Sequence, residues 1–182
     1  LLEKLRIFFS VSLLPFPISA MGNMERLVGS HELQALGASY AASGKRLVLT
    51  NGCFDILHTG HVRYLRQARE LGDALIVAVN SDASVRELKG PSRPVNGELD
   101  RAEVLAALRC VDQVTIFEGM RVTDVIRALR PAIYAKGGDY TLDTLNPKER
   151  AALEEVGAMI RLVPLVPGRS TTSVLERAAR GT

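Results

Sequence analysis

The sequence predicts an α/β domain built on a doubly wound parallel sheet, and three observations carry the prediction. Short apolar runs rich in Val, Ile and Leu recur at 46–50, 74–79, 113–117, 132–136 and 159–163. Between them lie stretches whose apolar residues are three or four apart, and such alternation builds a parallel sheet through helical crossovers. A chain of 182 residues, 47% hydrophobic and 24% charged, has material for one core and is not of disordered composition.

The elements follow in order. "LLEKLRIFFSVSLLPFPISA" (1–20) has Lys4 and Arg6 before an apolar run, Ile7 to Leu14, that is too short to span a bilayer. We expect it to be an extension outside the fold, with Met21 or Met24 as the start and 21–182 as one domain whose core covers 45–180. Residues 24–44 are expected to form a leading helix packed on the sheet. "RLVLT" (46–50) is the first strand. Val62, Leu65, Ala68 and Leu71 mark the first crossover helix, with Gly72 as its stop. "ALIVAV" (74–79) is uninterrupted apolar sequence, as a strand buried on both faces should be. "SDASVRELKGPSRPVNGE" (81–98) reads as a loop with one short helix.

A helix over Leu99–Leu108 leads to the strand "QVTIF" (113–117). Val122, Val125, Ile126 and Leu129 mark a helix stopped by Pro131, and "AIYAK" (132–136) is the fourth strand. "NPKE" (146–149) opens another helix: Asn146 caps, Pro147 takes the first helical position and Glu149 reaches back to the cap. "MIRLV" (159–163) is the last strand, and Ser170 or Thr171 caps a final helix.

Lys+Arg 23 against Asp+Glu 20 gives a net charge of +3 with no Lys/Arg-rich block. That pattern argues against nucleic acid or a membrane surface as partner and suits an anionic small molecule. Cys53 and Cys110 form no CxxC, and no Cys/His cluster has zinc-ligand spacing. Two reduced thiols, no protein-bound metal and a cytoplasmic location are the expectations.

"NGCFDILHTGH" (51–61) concentrates the chemistry, because it holds two of the chain's three histidines just beyond the first strand. Ligands of such folds bind at the carboxyl ends of the strands. His58 and His61 therefore stand at a helix N-terminus, where free N–H groups and the helix dipole attract phosphate. Gly52 and Gly60 allow close backbone approach. "PGRSTTS" (167–173) is a second candidate cradle, glycine followed by hydroxyls at a helix start. A single histidine at such a place is usually only a polar cap, and "KGGD" (136–139) taken alone is as well read as a turn. Two cradles with two imidazoles between them point to a polyphosphate.

These residues resemble the signature of the HxGH nucleotidyltransferase superfamily. The likeness continues through "GDALIVAVNSDASVRELKGPSRPVN", "RAEVLAALRCVDQV", "YAKGGDY" and "GRSTTS", so it covers about residues 45–180. Within the superfamily the blocks look most like the heptose 1-phosphate adenylyltransferases. The resemblance implies a Rossmann-like nucleotidyltransferase fold, ATP and D-glycero-β-D-manno-heptose 1-phosphate as substrates, and ADP-heptose and pyrophosphate as products. It further implies Mg²⁺ accompanying ATP, a separate sugar kinase upstream, and room for a homodimer. Relatives that use CTP carry an arginine three residues before the glycine of the "GxSTT" block; here that residue is Leu165.

By the same resemblance, His58, His61, Lys89 and Arg101 are catalytic. Thr50, Gly52, Phe54, Asp55, Gly138, Asp139, Ser170, Thr171 and Thr172 join the two histidines in binding the nucleotide. Arg93 and Lys89 meet the sugar phosphate. Two other readings stay open: transfer to another phosphate such as glycerol 3-phosphate, and a nucleotide-binding sensor without turnover.

Overall fold

A computed structural model describes residues 24–138, 144–164 and 171–181. Five strands form one sheet: β1 (Leu47–Gly52), β2 (Ala74–Asn80), β3 (Gln113–Phe117), β4 (Ile133–Gly137) and β5 (Met159–Val163). Their order is β3-β2-β1-β4-β5, and every neighbouring pair is parallel. The chain thus winds outward from β1 in one direction, then crosses back to lay β4 on the other side of it. This is the doubly wound arrangement the alternation predicts.

The helices are α1 (Leu33–Ala42), α2 (Thr59–Glu70), α3 (Asp82–Lys89), α4 (Glu98–Ala106), α5 (Thr123–Leu129), α6 (Pro147–Val156) and α7 (Thr171–Arg180). Period-two alternation sends strand side chains to opposite faces. Leu49, Ile76 and Tyr134 meet Leu33, Ile126, Leu129 and Leu153 on the face covered by α1, α5 and α6. Val48, Leu75, Val77 and Ala135 meet Leu65, Ala68, Ala102 and Leu105 on the face covered by α2 and α4. All seven residues of β2 are buried, because it is flanked on both edges and both faces.

The leading segment differs from the single helix expected over 24–44. Met24–Arg26 and Ser30–Glu32 are separate 3₁₀ turns, and the α-helix begins only at Leu33. The Glu32 carboxylate accepts the Gly29 N–H at 2.8 Å, and the Val28 N–H donates to the Val114 carbonyl at 2.8 Å. Backbone spent on the edge strand β3 is unavailable to a continuous helix. The segment 81–98 carries a more regular helix than its polarity suggests: Ser81 caps α3 by accepting the Ser84 N–H at 3.3 Å.

Candidate active site

β1 and β4 pair at Val48–Ile133 and Leu49–Tyr134 only, although β1 continues to Gly52 and β4 to Gly137. Beyond Leu49 the two strands part, and this is where a ligand enters an open α/β sheet, at the point where the strand order reverses. The Tyr64 ring of α2 fills the gap. Its hydroxyl donates to the Ala135 carbonyl at 3.0 Å and lies 2.6 Å from Thr50 Oγ1. A Cβ on Gly137 would fall 2.7 Å from that ring, so only glycine lets β4 pass Tyr64. Burial pushes the Tyr64 pKa up to about 12 and keeps the phenol neutral. Above the ring opens a cleft of about 340 Å³ lined by Gly52, Phe54, His61, Lys89, Lys136 and Glu149 among others.

The "HTGH" stretch starts α2. His58 is its N-cap, extended at φ −142° and ψ 170°, and its Nδ1 accepts the Gly60 N–H at 3.1 Å. One turn on, His61 stacks on His58 with 3.9 Å between ring centroids and 23° between planes. The edge of Phe54 closes the other side of His61, 5.4 Å away at 67°. Burial, then the neighbouring His58, lowers the His61 pKa to about 4. His61 is therefore neutral at pH 7, and its buried Nδ1 has no hydrogen-bond partner among the described residues. The helix start and Lys89 supply the positive potential here.

Four expected contacts sit elsewhere than the sequence suggests. Thr50 is fully buried within the sheet, and its hydroxyl meets Tyr64 instead of lining the cleft. Asp55 is 3% exposed and spends its carboxylate on the loop that follows α3. It accepts from Arg93 Nε at 2.5 Å, from the Val95 N–H at 2.8 Å and from the Asn96 N–H at 3.0 Å. Burial alone would raise its pKa; the hydrogen bonds from Asn96, Arg93 and Val95 outweigh that and lower it.

Arg93 is consequently paired with Asp55 and does not project alone into the cleft. The Arg101 side chain is wholly buried and reaches protein acceptors rather than open space. It donates to the carbonyls of Cys53, Asn80 and Asn96 at 2.5, 2.8 and 3.0 Å, and to Asp82 at 2.7 Å. These contacts tie the loop after β1 and the end of β2 to the α4 entry.

Gly52, Phe54, His61 and Lys89 do come together in the cleft, with His58 stacked behind. Gly138 follows β4 at φ +134°, a backbone conformation open to glycine. Thr171 opens α7. Asp139, Leu165 and Ser170, and the side chain of Thr172, lie outside the described residues.

The sequence reading missed Asn51, Lys136 and Glu149. Lys136 Nζ lies 3.3 Å from Glu149 Oε2 and 3.3 Å from Asn51 Oδ1, while the Tyr134 hydroxyl donates to the same Asn51 oxygen at 2.7 Å. Glu149 occupies the third position of α6, as the capping pattern requires, and Asn146 does cap by accepting the Lys148 N–H at 3.0 Å. The Glu149 carboxylate turns inward to Lys136 and is 4% exposed. A lysine ending an otherwise apolar strand was the available signal.

Among the described residues no group of three or more His, Cys, Asp or Glu could hold a metal ion, and no helix is long and apolar enough to cross a membrane. The cytidylyltransferase-like family pattern matches residues 49–177. The chain is 54% identical over 136 residues, 75% of its length, to the bifunctional protein HldE of Pelobacter propionicus, and 50% identical over 145 residues, 80% of its length, to that of Geobacter sulfurreducens. It spans 28% and 29% of those two relatives. A lipopolysaccharide core biosynthesis protein from Thermoplasma volcanium superposes with a TM-score of 0.56 at 26% identity, covering 68% of this chain and 98% of that one.

Proposed function

The chain belongs to the cytidylyltransferase-like family and is a nucleotidyltransferase, and on that premise we propose that it joins ATP to D-glycero-β-D-manno-heptose 1-phosphate, giving ADP-heptose and pyrophosphate. The observation that carries the chemistry is the stacked His58–His61 pair on the N-terminus of α2, at the point where β1 and β4 part. The heptose assignment draws on the ordered blocks from "TNGCFD" to "GRSTTS". The likeness to HldE proteins and to a lipopolysaccharide core biosynthesis protein supports it.

In this reading an oxygen of the sugar phosphate attacks the α-phosphorus of ATP. The bond from that phosphorus to the bridging oxygen breaks, and pyrophosphate carries the electron pair away. No covalent enzyme intermediate is needed, so the protein's part is alignment and stabilisation of charge on phosphate oxygens. His61, neutral before substrate arrives, offers a ring nitrogen to an oxygen without first losing a shell of water. His58 fixes the ring plane of His61 through the stack. Lys89, at the end of α3 on the cleft rim, supplies a mobile cation.

Mg²⁺ would travel on the triphosphate, because the nearby carboxylate of Asp55 is committed to Arg93 and two backbone N–H groups. The test is pyrophosphate release across nucleotide and acceptor pairs at matched concentrations. ATP with heptose 1-phosphate should exceed CTP with glycerol 3-phosphate at least about tenfold. Equal or better rates with the second pair would remove the heptose assignment. ATP binding with no pyrophosphate from any acceptor would favour the sensor.

A further inference from the structure

We infer that Asn51, Lys136 and Glu149 form a recognition site for hydroxyl groups, and that it holds the polyhydroxylated carbon chain of the acceptor while its phosphate lies toward His61 and Lys89. The inference rests on the transferase reading above. All five residues line one cleft. Lys89 ends α3, the helix after β2, Lys136 is the penultimate residue of β4, and β1 lies between β2 and β4 in the sheet. The two lysines therefore approach from either side of the β1 end that carries Asn51 and Gly52.

Their chemistry differs. Lys89 is exposed, and no acidic side chain among the described residues forms an ion pair with it. Lys136 is held by Glu149 at 3.3 Å, with side chains 14% and 4% exposed. A lysine neutralised by a buried carboxylate is a poor phosphate ligand, since the carboxylate repels a second anion. A hydroxyl group suits it, because it can donate to the carboxylate and accept from the ammonium.

The cluster is also held in place before any ligand arrives. The buried Tyr134 hydroxyl donates to Asn51 Oδ1 at 2.7 Å, and Lys136 Nζ donates to the same oxygen at 3.3 Å and to the Tyr134 oxygen at 3.2 Å. That fixes the orientation of the Asn51 amide. Glu149 has left the helix-capping position its sequence offers in order to face the cleft. A purely structural pair gains little here, as apolar residues of similar size often do as well. A site built to bond hydroxyls discriminates strongly, because an acceptor lacking them leaves its polar groups unpaired.

The test uses the full chain and two readouts. Calorimetric titration with heptose 1-phosphate reads the cluster, and pyrophosphate release reads the reaction. Glu149→Gln keeps shape and removes the carboxylate charge. It should weaken heptose 1-phosphate binding at least about tenfold and leave the Kd for ATP within about twofold. Ethyl phosphate, which carries no hydroxyls, should bind wild type and variant alike.

Should Glu149→Gln fold poorly, Lys136→Met with Glu149→Gln removes both charges together and leaves neither buried alone; the same shifts are expected of it. Unchanged heptose 1-phosphate affinity, no wild-type affinity for it, or an equal loss for ATP would overturn the inference. Wild-type binding of heptose 1-phosphate without any pyrophosphate release would instead remove the transferase reading and leave the recognition site standing.

Discussion

The imidazole rings of His58 and His61 lie face to face, 3.9 Å apart, with His58 capping the helix on which His61 stands. Two charged rings at that distance would repel, and burial penalises charge on His61 further. His61 is thus a neutral ring, stacked on the residue that caps its helix, and an anion held against it would bring its own charge. This gives the first prediction. His61→Ala should lower kcat by on the order of a hundredfold or more, because contacts to transition-state oxygens are worth a few kcal/mol. Far-ultraviolet circular dichroism should be unchanged. His58→Ala should match it in rate and also lose about 1 kcal/mol of stability with the cap. His58→Asn should recover the stability and not the rate. Steady-state kinetics with denaturant titration reads both, and near-wild-type turnover in either alanine variant would make that histidine structural.

The second prediction is a pH dependence. His61 has a folded pKa of about 4 against an ordinary value of 6.5, so the unfolded chain binds its proton first as pH falls. Protonation therefore favours unfolding: the contribution is intact above pH 6.5 and lost as pH drops toward 4. The full shift corresponds to about 3 kcal/mol, and about half of that is expected once solvent screening at this half-buried ring is allowed for. His61→Phe should keep the packing and flatten the stability curve between pH 6.5 and 4. A wild-type curve already flat there would show the ring is not held neutral.

A third prediction concerns the contact between α1 and α5. Gly37 lies buried in α1, and a Cβ there would fall 2.0 Å from the Leu129 carbonyl oxygen of α5. In an exposed helix Gly→Ala gains up to about 1 kcal/mol. Here the obstacle is backbone, which cannot swing aside, so the sign reverses. Gly37→Ala should lower stability by about 1–3 kcal/mol, the usual range for overpacking. Its kinetic constants at 25 °C should stay near wild type. A stabilised Gly37→Ala would mean that α1 rides loosely on α5.

What could be read from the sequence was whatever depends on neighbours in the chain. β2 is recognisable because seven consecutive residues must all be buried, and α2 because its cap, periodicity and stop sit together. The place of His58 and His61 follows from that local pattern alone. Arg101, by contrast, reaches partners 48 and 21 residues away, and no local rule distinguishes a buried arginine from a phosphate-binding one. Glu149 satisfied its capping pattern in sequence and was drawn off by Lys136, 13 residues earlier, through a contact that exists only once β4 and α6 pack. The leading helix failed similarly, its first turns diverted to the edge of β3.

The last prediction separates two roles for Arg93. Its guanidinium pairs with Asp55, which also takes the Val95 and Asn96 N–H groups, so one carboxylate holds the whole loop after α3. Asn96 in turn accepts from Arg101, linking that loop to the ends of β1 and β2. Removing one partner of a buried pair leaves the other uncompensated, so Asp55→Asn should cost on the order of 3–5 kcal/mol. The Asp55 pKa is lowered in the fold, so its stabilisation is complete above the unfolded value of about 3.9 and disappears as pH falls through the folded value. Asp55→Asn should accordingly lose part of the acid limb of the stability curve. If Arg93 also meets the acceptor's phosphate, Arg93→Ala should raise KM for the sugar phosphate more than KM for ATP. Arg93→Lys should restore part of that KM and little of the stability, because an ammonium keeps the charge and cannot repeat the forked contact. Denaturant midpoints and paired KM values measured on the three variants decide the point. A loss of stability with both KM values unmoved would leave Arg93 as a strut for the loop and nothing more.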